Sequence, residues 1–573
     1  MKKSGAWLTR YALEQVGVKF TFGIPGVHNT EIYDELNKSE LIKPILVSHE
    51  VGAAFSADAI SRVGGSIGTL IVVPAAGLTH AASGIGEAFL DGIPMLVITG
   101  GTRIDLDKSY QLHEMDQHAF MAGITKASYY PKTHREIIPA IYDAYNKATQ
   151  GEPGPVFIEI PVNLQLMTGD IPEIPNYQSE TLPPELNMHS IEQAVQMLSA
   201  STNPGLFVGW GARHAQQELE ELAEIYNMPV ATTLQGLTTF KADHPLHTGM
   251  SFGRSAVPAA ENAFKNCDCM LAVATRFSEI PTGSYGVEVP EALIHTDINP
   301  EVFSKNYPAK IAIEGDAKLV LRALLSASAP SEKNESLKKQ IQADKKAYQK
   351  QWFSHDSKDR VNPKVFFNAL DQLLDGNAII VADDGNHTFL TAELMPISGE
   401  RQFISPSDFN AMGYAVPATN AAKLSNPDTQ VIGIVGDGAM LMTGMETITA
   451  ATLELGTVYF IFNDGELSQI SQAQEIPYNR KTCTQLNPVK WQGLAIATGC
   501  EFLAIANNSE VNDVIKNALS LAQCHKPVIV DVNIDYSKRT RFTQGTVTTN
   551  LKRFDLATKA RFIGRAVKRK ITG

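Results

Sequence analysis

Residues 431–465 read VIGIVGDGAMLMTGMETITAATLELGTVYFIFNDG, and the fold class can be argued from this stretch. A β-branched run from Val431 ends in Gly436-Asp437-Gly438, a helix-forming segment follows, and a second apolar run ends in Asn463-Asp464-Gly465. The spacing suits one βαβ unit of roughly 30 residues. A right-handed crossover sets the two strands side by side, so Asp437 and Asn463 both fall at carboxyl ends of a parallel sheet. A carboxylate and an amide oxygen are hard donors suited to magnesium, which is usually shared with phosphates. The glycines allow backbone to approach an anion closely. A helix opening at Ala439 aims free N–H groups and a positive dipole end at it. Gly-Asp-Gly alone is common turn chemistry. Paired at this spacing with a strand ending in Asn-Asp-Gly, it reads as a metal–diphosphate site rather than an ordinary buried βαβ unit.

The chain has 573 residues, enough for three or four domains. Hydrophobic residues make up 44% and charged residues 19%, an ordinary globular composition. A net charge of −12 argues against nucleic acid as a main partner. The five cysteines include no C-x-x-C pair, so they read as free thiols in a reducing, cytoplasmic setting. MKKSGAWLTRYALEQ reads as an amphipathic first helix rather than a signal peptide, and no apolar run approaches a membrane span of about 18 residues.

Residues 1–180 alternate helical stretches with the strands KFTFGIP, KPILVSH, GTLIVVP, PMLVITG and GPVFIEIP. Strands that are apolar throughout indicate a parallel sheet covered on both faces. A Pro-rich linker follows, and residues 188–330 repeat the habit with PGLFVGWG, MPVATTL, CMLAVATR, ALIHTDI and AKIAIEG. The expectation is α/β: three doubly wound parallel-sheet domains at 1–180, 188–330 and 362–545, a solvated linker helix at 331–361, and a basic tail at 546–573. In the tail, Leu556, Ala560, Ile563 and Val567 repeat at helical spacing, as a lid or surface helix would, with membrane-surface binding the weaker alternative.

In KPILVSHEVGAA an apolar strand ends in Ser48-His49-Glu50 and a small-residue helix begins, which suits a site residue at Glu50. With the Gly436–Gly465 motif, this pattern resembles the thiamine diphosphate-dependent enzymes of the acetolactate synthase-like family. The resemblance covers nearly the whole chain. It implies that Asp437, Asn463 and the carbonyl of Gly465 hold Mg2+, that Gly436, Gly438 and Ala439 border the diphosphate, and that Glu50 drives the cofactor's pyrimidine to its imino form. In SDFNAMGY, Met412 falls where a bulky residue wedges between the cofactor rings, and the carbonyl of Asn410 would accept the pyrimidine amino group. The family's cofactor bridges the first domain of one subunit and the third of another, so a homodimer or homotetramer is implied.

Val27 and His28 in FGIPGVHN, His80 in PAAGLTH, and His113 and Gln117 in LHEMDQ match pocket-lining positions. Together they offer donors and acceptors to a carbonyl and its developing alkoxide. Pyruvate decarboxylase-like enzymes place an aspartate where Val27 stands and use a His-His pair, which this chain lacks. That favours capture of the carbanion by a second carbonyl compound, ketone or aldehyde, over protonation. The acetolactate synthase loop G-P-G-A-T-N is replaced by Pro74–His80, the F-Q-E block by Leu112-His113-Glu114, and a tryptophan after the asparagine motif is missing. The expected reaction is therefore carboligation from pyruvate or a similar 2-oxo acid. The alternatives are cleavage of 1,2-diketones or acyloins, plain decarboxylation, and a catalytically silent regulatory homologue. The middle segment resembles the family's flavin-holding domain, which would make Gly209, Gly211, Thr233, Leu234, Gly249, Arg276 and Asp297 contacts to FAD. Against this, the family arginine of G-R-P-G-P is Glu152, a carboxylate that would repel a diphosphate.

Overall fold

A computed structural model describes residues 1–179, 185–329 and 335–572. Residues 180–184 of the expected first linker and 331–334 of the expected linker helix lie outside the described residues. Three six-stranded sheets carry the chain, and every strand pair within them is parallel. Their interior strands are almost wholly apolar and buried on both faces, as in Met95–Gly101 and Val431–Gly436.

The amino-terminal sheet runs, edge to edge, Lys43–Leu46, Phe20–Gly23, Gly68–Val72, Met95–Gly101, Pro155–Pro161, Ser128–Tyr129. The carboxy-terminal sheet runs Gln402–Ile404, Ile379–Ala382, Val431–Gly436, Thr457–Asn463, Val528–Asn533, Glu501–Ile505. Numbered by chain order within each sheet, both read 2-1-3-4-6-5. The central sheet runs His247–Met250, Val230–Thr232, Pro204–Val208, Cys269–Val273, Ala292–Asp297, Ile311–Glu314, which is 3-2-1-4-5-6, the Rossmann order. In such sheets ligands bind beyond the carboxyl ends of the strands, where the strand order reverses. Each domain therefore has a crevice whose position follows from topology: between Gly23 and Val72, between Val208 and Val273, and between Ala382 and Gly436.

The first and third domains pack directly. Helix Glu50–Val63 lies along helix Ala415–Ser425, and their small residues, Ala53, Ala54, Ala57 and Ala418, Ala422 among them, share one core. Small side chains let the backbones come close enough for the Ser56 hydroxyl to donate to the Pro417 carbonyl at 3.2 Å. The Tyr414 hydroxyl donates to Asp58 Oδ1 at 2.6 Å, and Arg62 pairs with Asp58 (2.6 Å) and Asp91 (2.9 Å), all buried.

The structure refines two expected elements and adds a third. The linker helix, observed as Glu335–Phe353, is not merely solvated: Ile341, Tyr348 and Trp352 form a buried stripe against the rest of the chain. The tail helix Leu556–Thr572 turns Leu556, Ile563 and Val567 outward and docks instead through Phe562, whose ring meets Phe554 at 5.3 Å and Tyr478 at 6.4 Å. Strand Lys2–Ser4, which precedes the first helix, Gly5–Gln15, pairs antiparallel with Thr168–Asp170. Among the described residues no helix is long and apolar enough to cross a membrane.

Candidate active site

At the carboxy-terminal crevice, strand Val431–Gly436 hands over to helix Asp437–Thr443, which puts Asp437 in the first turn. Its Oδ1 accepts from the Gly438 N–H (2.8 Å), and its Oδ2 accepts from the N–H groups of Gly465 (2.8 Å) and Asp464 (3.3 Å). The neighbouring strand delivers Asn463, whose Nδ2 donates to Asp531 Oδ1 at 3.0 Å, leaving its Oδ1 to accept. Gly465 sits at φ +78°, where a side chain would be strained, and its carbonyl accepts from the Leu486 N–H at 2.9 Å while keeping a second lone pair. The three groups expected to hold the ion are thus together, around a cavity of about 240 Å3 that also meets Arg360, Asp464 and Trp491.

The site fits a divalent cation. Burial raises the pKa of the Asp437 carboxyl, and burial with the charge of Asp437 pushes Asp464 up to about 6. Asp464 Oδ1 is buried without a partner. Two carboxylates crowded out of water are what a magnesium ion relieves.

Met412 reaches the same place: its Cε lies 3.4 Å from where a Cβ on Gly438 would stand. The turn that presents it, with Asn410 at φ +64° and Gly413 at φ +89°, is pinned by Asp383, which accepts from the N–H groups of Gly413 (2.8 Å) and Ala415 (2.7 Å). Burial pushes Asp383 up to about 6 and Asp384 up to about 7. Sequence reading missed this Asp383–His387 segment. It closes the other side of the crevice and opens helix Asn386–Leu394 beside Gly436. The His387 ring lies 2.8 Å from a Cβ placed on Gly436 and 2.7 Å from one on Gly385, so both positions demand glycine. Its Nε2 is buried without a partner, and burial holds the imidazole neutral with its pKa down at about 3. ADDGNH carried the signal: another apolar strand ending in an acidic-glycine turn.

At the amino-terminal crevice, Glu50 opens helix Glu50–Val63, half-buried, and meets His80 Nδ1 at 3.0 Å. His49, also missed, caps the helix by accepting the Val51 N–H and stacks on His80 with ring centroids 4.7 Å apart. His28 is buried beside His113, rings 5.1 Å apart, with an unpartnered Nδ1 on each. Gly100 leaves room for the His28 carbonyl, 1.8 Å from where its Cβ would be. Burial, then the charge of His113, lowers the His28 pKa. Gln117 is buried and accepts from the Ala75 N–H at 3.2 Å, bracing a loop in which Ala75 sits at φ +53°. Val27 is exposed. The pocket residues therefore gather as two sets, His49–Glu50–His80 and His28–His113. Every residue lining the Asp437 cavity lies between Arg360 and Asn533, so Glu50 does not line that cavity within one chain.

Of the residues expected to hold FAD, Gly209, Gly211, Thr233, Leu234, Arg276 and Asp297 line one cleft at the central crevice. Gly249 does not; at φ +123° it belongs to strand His247–Met250 and borders a separate cavity with Lys345 and Tyr348. The cleft does not fit a flavin dinucleotide. Its lining is rich in carboxylates, Glu152, Asp297 and Asp408 among them, which would repel a diphosphate. Its arginine is engaged: Arg276 bonds Glu152 at 3.0 Å and Asp408 at 2.8 Å. Burial pushes Asp297 up to about 6.

Comparison with known proteins agrees with this geometry. Three family models match in order: the thiamine pyrophosphate enzyme N-terminal TPP binding domain over residues 4–120, the central domain over 191–324, and the C-terminal TPP binding domain over 383–532. The chain is 30% identical over 547 residues to the acetolactate synthase large subunit of Corynebacterium glutamicum, covering 92% of this chain and 86% of that protein. It is 32% identical over 546 residues to a probable acetolactate synthase large subunit of Methanocaldococcus jannaschii, covering 91% and 90%. With the Escherichia coli isozyme 1 large subunit it shares 29% over 539 residues, covering 94% and 95%. Three parallel-sheet domains with matching crevices, and similarity along nearly the full length, place this chain in the acetolactate synthase-like family of thiamine diphosphate-dependent enzymes.

Proposed function

We propose that the protein is a magnesium-dependent carboligase. It would decarboxylate pyruvate or a similar 2-oxo acid and transfer the acyl unit to a second carbonyl compound, a ketone or an aldehyde. When bound, thiamine diphosphate supplies the carbanion chemistry, and the protein supplies position and proton control. Asp437, Asn463 and the Gly465 carbonyl would hold the ion, with the helix starts at Asp437 and Asn386 turned to the diphosphate. Met412 and the Asn410 carbonyl would set the ring geometry. Glu50 would hold and return the proton of the pyrimidine ring, with His80 its hydrogen-bond partner.

The observation that carries the reading is the state of His28. Burial, then the charge of His113, disfavours its protonated form, and no carboxylate stands at Val27. A neutral imidazole is a poor proton donor, which leaves the acyl unit for a carbonyl acceptor. Purified protein with cofactor and magnesium, given pyruvate with and without added ketones, tests this: acyloin-type products support it, and acetaldehyde alone overturns it. The His80–Glu50 bond favours a second reading, cleavage of 1,2-diketones or acyloins, because it provides a local proton store; the same product assay run with diketones distinguishes the two.

We take residues 1–180, 188–330 and 362–545 as the three domains and the assembly as a cytoplasmic homodimer or homotetramer. Support for assembly comes from exposed apolar side chains near both half-sites: Leu441, Met442, Met445 and Ile448 beyond Asp437, and Tyr110, Leu112 and Phe120 beside the histidine pocket. A second copy would bring its Glu50 region to this chain's Asp437 cavity.

A further inference from the structure

Where the flavin reading fails, the same residues make a different device. Arg276 follows the central strand Cys269–Val273 and reaches into both other domains. Its Nη1 donates to Glu152 Oε1, and its Nη2 donates to the Leu90 carbonyl and to Asp408 Oδ2. Each partner is held in turn. Asn299 Nδ2 donates to Glu152 Oε2 at 2.5 Å, the Ser278 hydroxyl to Asp408 Oδ1 at 2.8 Å, and the Asp408 N–H to Asp91 Oδ1 at 3.0 Å. Asp408 lies in the turn that carries Asn410 and Met412. Glu87 grips that turn from the first domain by accepting the N–H groups of Ser407 (3.1 Å) and Ala411 (3.0 Å). The cleft wall holds five carboxylates, Asp91, Glu152, Asp297, Asp316 and Asp408, against the guanidinium groups of Arg213 and Arg276. An anionic dinucleotide would add charge of the wrong sign and would have to take Arg276 from two carboxylates.

We propose that Arg276 is a positioning residue, a three-domain latch that fixes the Ser407–Met412 turn through Asp408, and that this central cleft carries no flavin. The proposal rests on the reading that this turn touches thiamine diphosphate. The latch presents Met412 and Asn410 already ordered, so cofactor binding need not order them.

The test uses the full chain. The purified parent should show no visible flavin absorbance and no quenching of added FAD fluorescence. Calorimetric titration with thiamine diphosphate and magnesium should show Arg276→Ala weakening cofactor affinity by about tenfold. Arg276→Lys should recover part of the loss, because a point charge cannot span both carboxylates. Glu152→Gln keeps the side-chain shape and should cost about threefold. Stoichiometric flavin in the parent overturns the proposal. So does Arg276→Ala with a lowered melting temperature but cofactor affinity within about twofold of the parent, since that is what a merely structural ion pair would give. Asp437→Ala, titrated alongside, keeps the two readings apart: full cofactor affinity there overturns the assignment of the site itself, whereas its loss beside an unaffected Arg276→Ala overturns only the latch.

Discussion

The first and third sheets have the same strand order, 2-1-3-4-6-5, and each keeps its polar residues at the same topological crevice, yet the chemistry of the two crevices is opposite. The carboxy-terminal one, the proposed ion site, draws Asp437, Asp464 and Asn463 together over helix starts. The amino-terminal one sets acid–base groups side by side, Glu50 against His80 and His28 against His113. Backbone topology places a site, and the few residues after each strand decide what it does. On the proposed reading, this division lets one chain supply both halves of a cofactor site without either half being complete.

The comparison breaks most easily at the proposed ion site. Asp437→Ala should abolish turnover, by at least about a thousandfold, and should remove thiamine diphosphate binding in calorimetric titration, because it deletes the ion's charged ligand. At the amino-terminal crevice the expected pattern differs. Glu50→Gln should lower kcat by about a hundred- to ten-thousandfold while the cofactor still binds, since general acid–base contributions lie in that range. If both variants lost binding alike, the two crevices would not divide the labour.

A third change probes what joins the two domains. Asp58→Ala strips Arg62 of one buried carboxylate and Tyr414 of its acceptor, which should destabilise the fold by about 3–5 kcal/mol in denaturant titration. The smallest effect concerns His387. Its folded pKa, about 3, lies below the ordinary 6.5, so between these values the unfolded chain binds the extra proton. Stability from this residue is complete above pH 6.5 and falls as the pH drops below it, by about 2 kcal/mol between pH 6.5 and 5. Asp383 and Asp384, raised by burial, oppose this trend, so the quantity to measure is the difference between the parent and His387→Gln across that window. An unchanged acid slope in the variant would show that the imidazole is not held neutral.

Much of this was legible because parallel strands buried on both faces read as unbroken apolar runs, and because Gly436-Asp437-Gly438 and Asn463-Asp464-Gly465 sit where such runs stop. What escaped reading was short or depended on a spatial neighbour. Ser128–Tyr129 and Gln402–Ile404 are edge strands of two and three residues, too brief to show a period. Asp383-Asp384-Gly385 looks like any turn until the fold sets His387 against Gly436. Gly249 is expected beside the residues of the central cleft, but pairing puts it in the strand at the edge of the sheet. In the linker helix, the lysines and glutamates masked the stripe of Ile341, Tyr348 and Trp352.

Arg62 lies where all three domains converge. It pairs with Asp58 and Asp91 of its own domain, and its guanidinium sits 6.0 Å from the ring of Trp210 in the central domain and 5.7 Å from that of Tyr414 in the third. Detaching the central or the third domain would strip Arg62 of an aromatic neighbour and open its ion pairs with Asp58 and Asp91 to water, so the buried charge ties the three domains together. Heating should therefore give one calorimetric transition for the whole chain, with calorimetric and van't Hoff enthalpies in agreement, rather than three successive peaks.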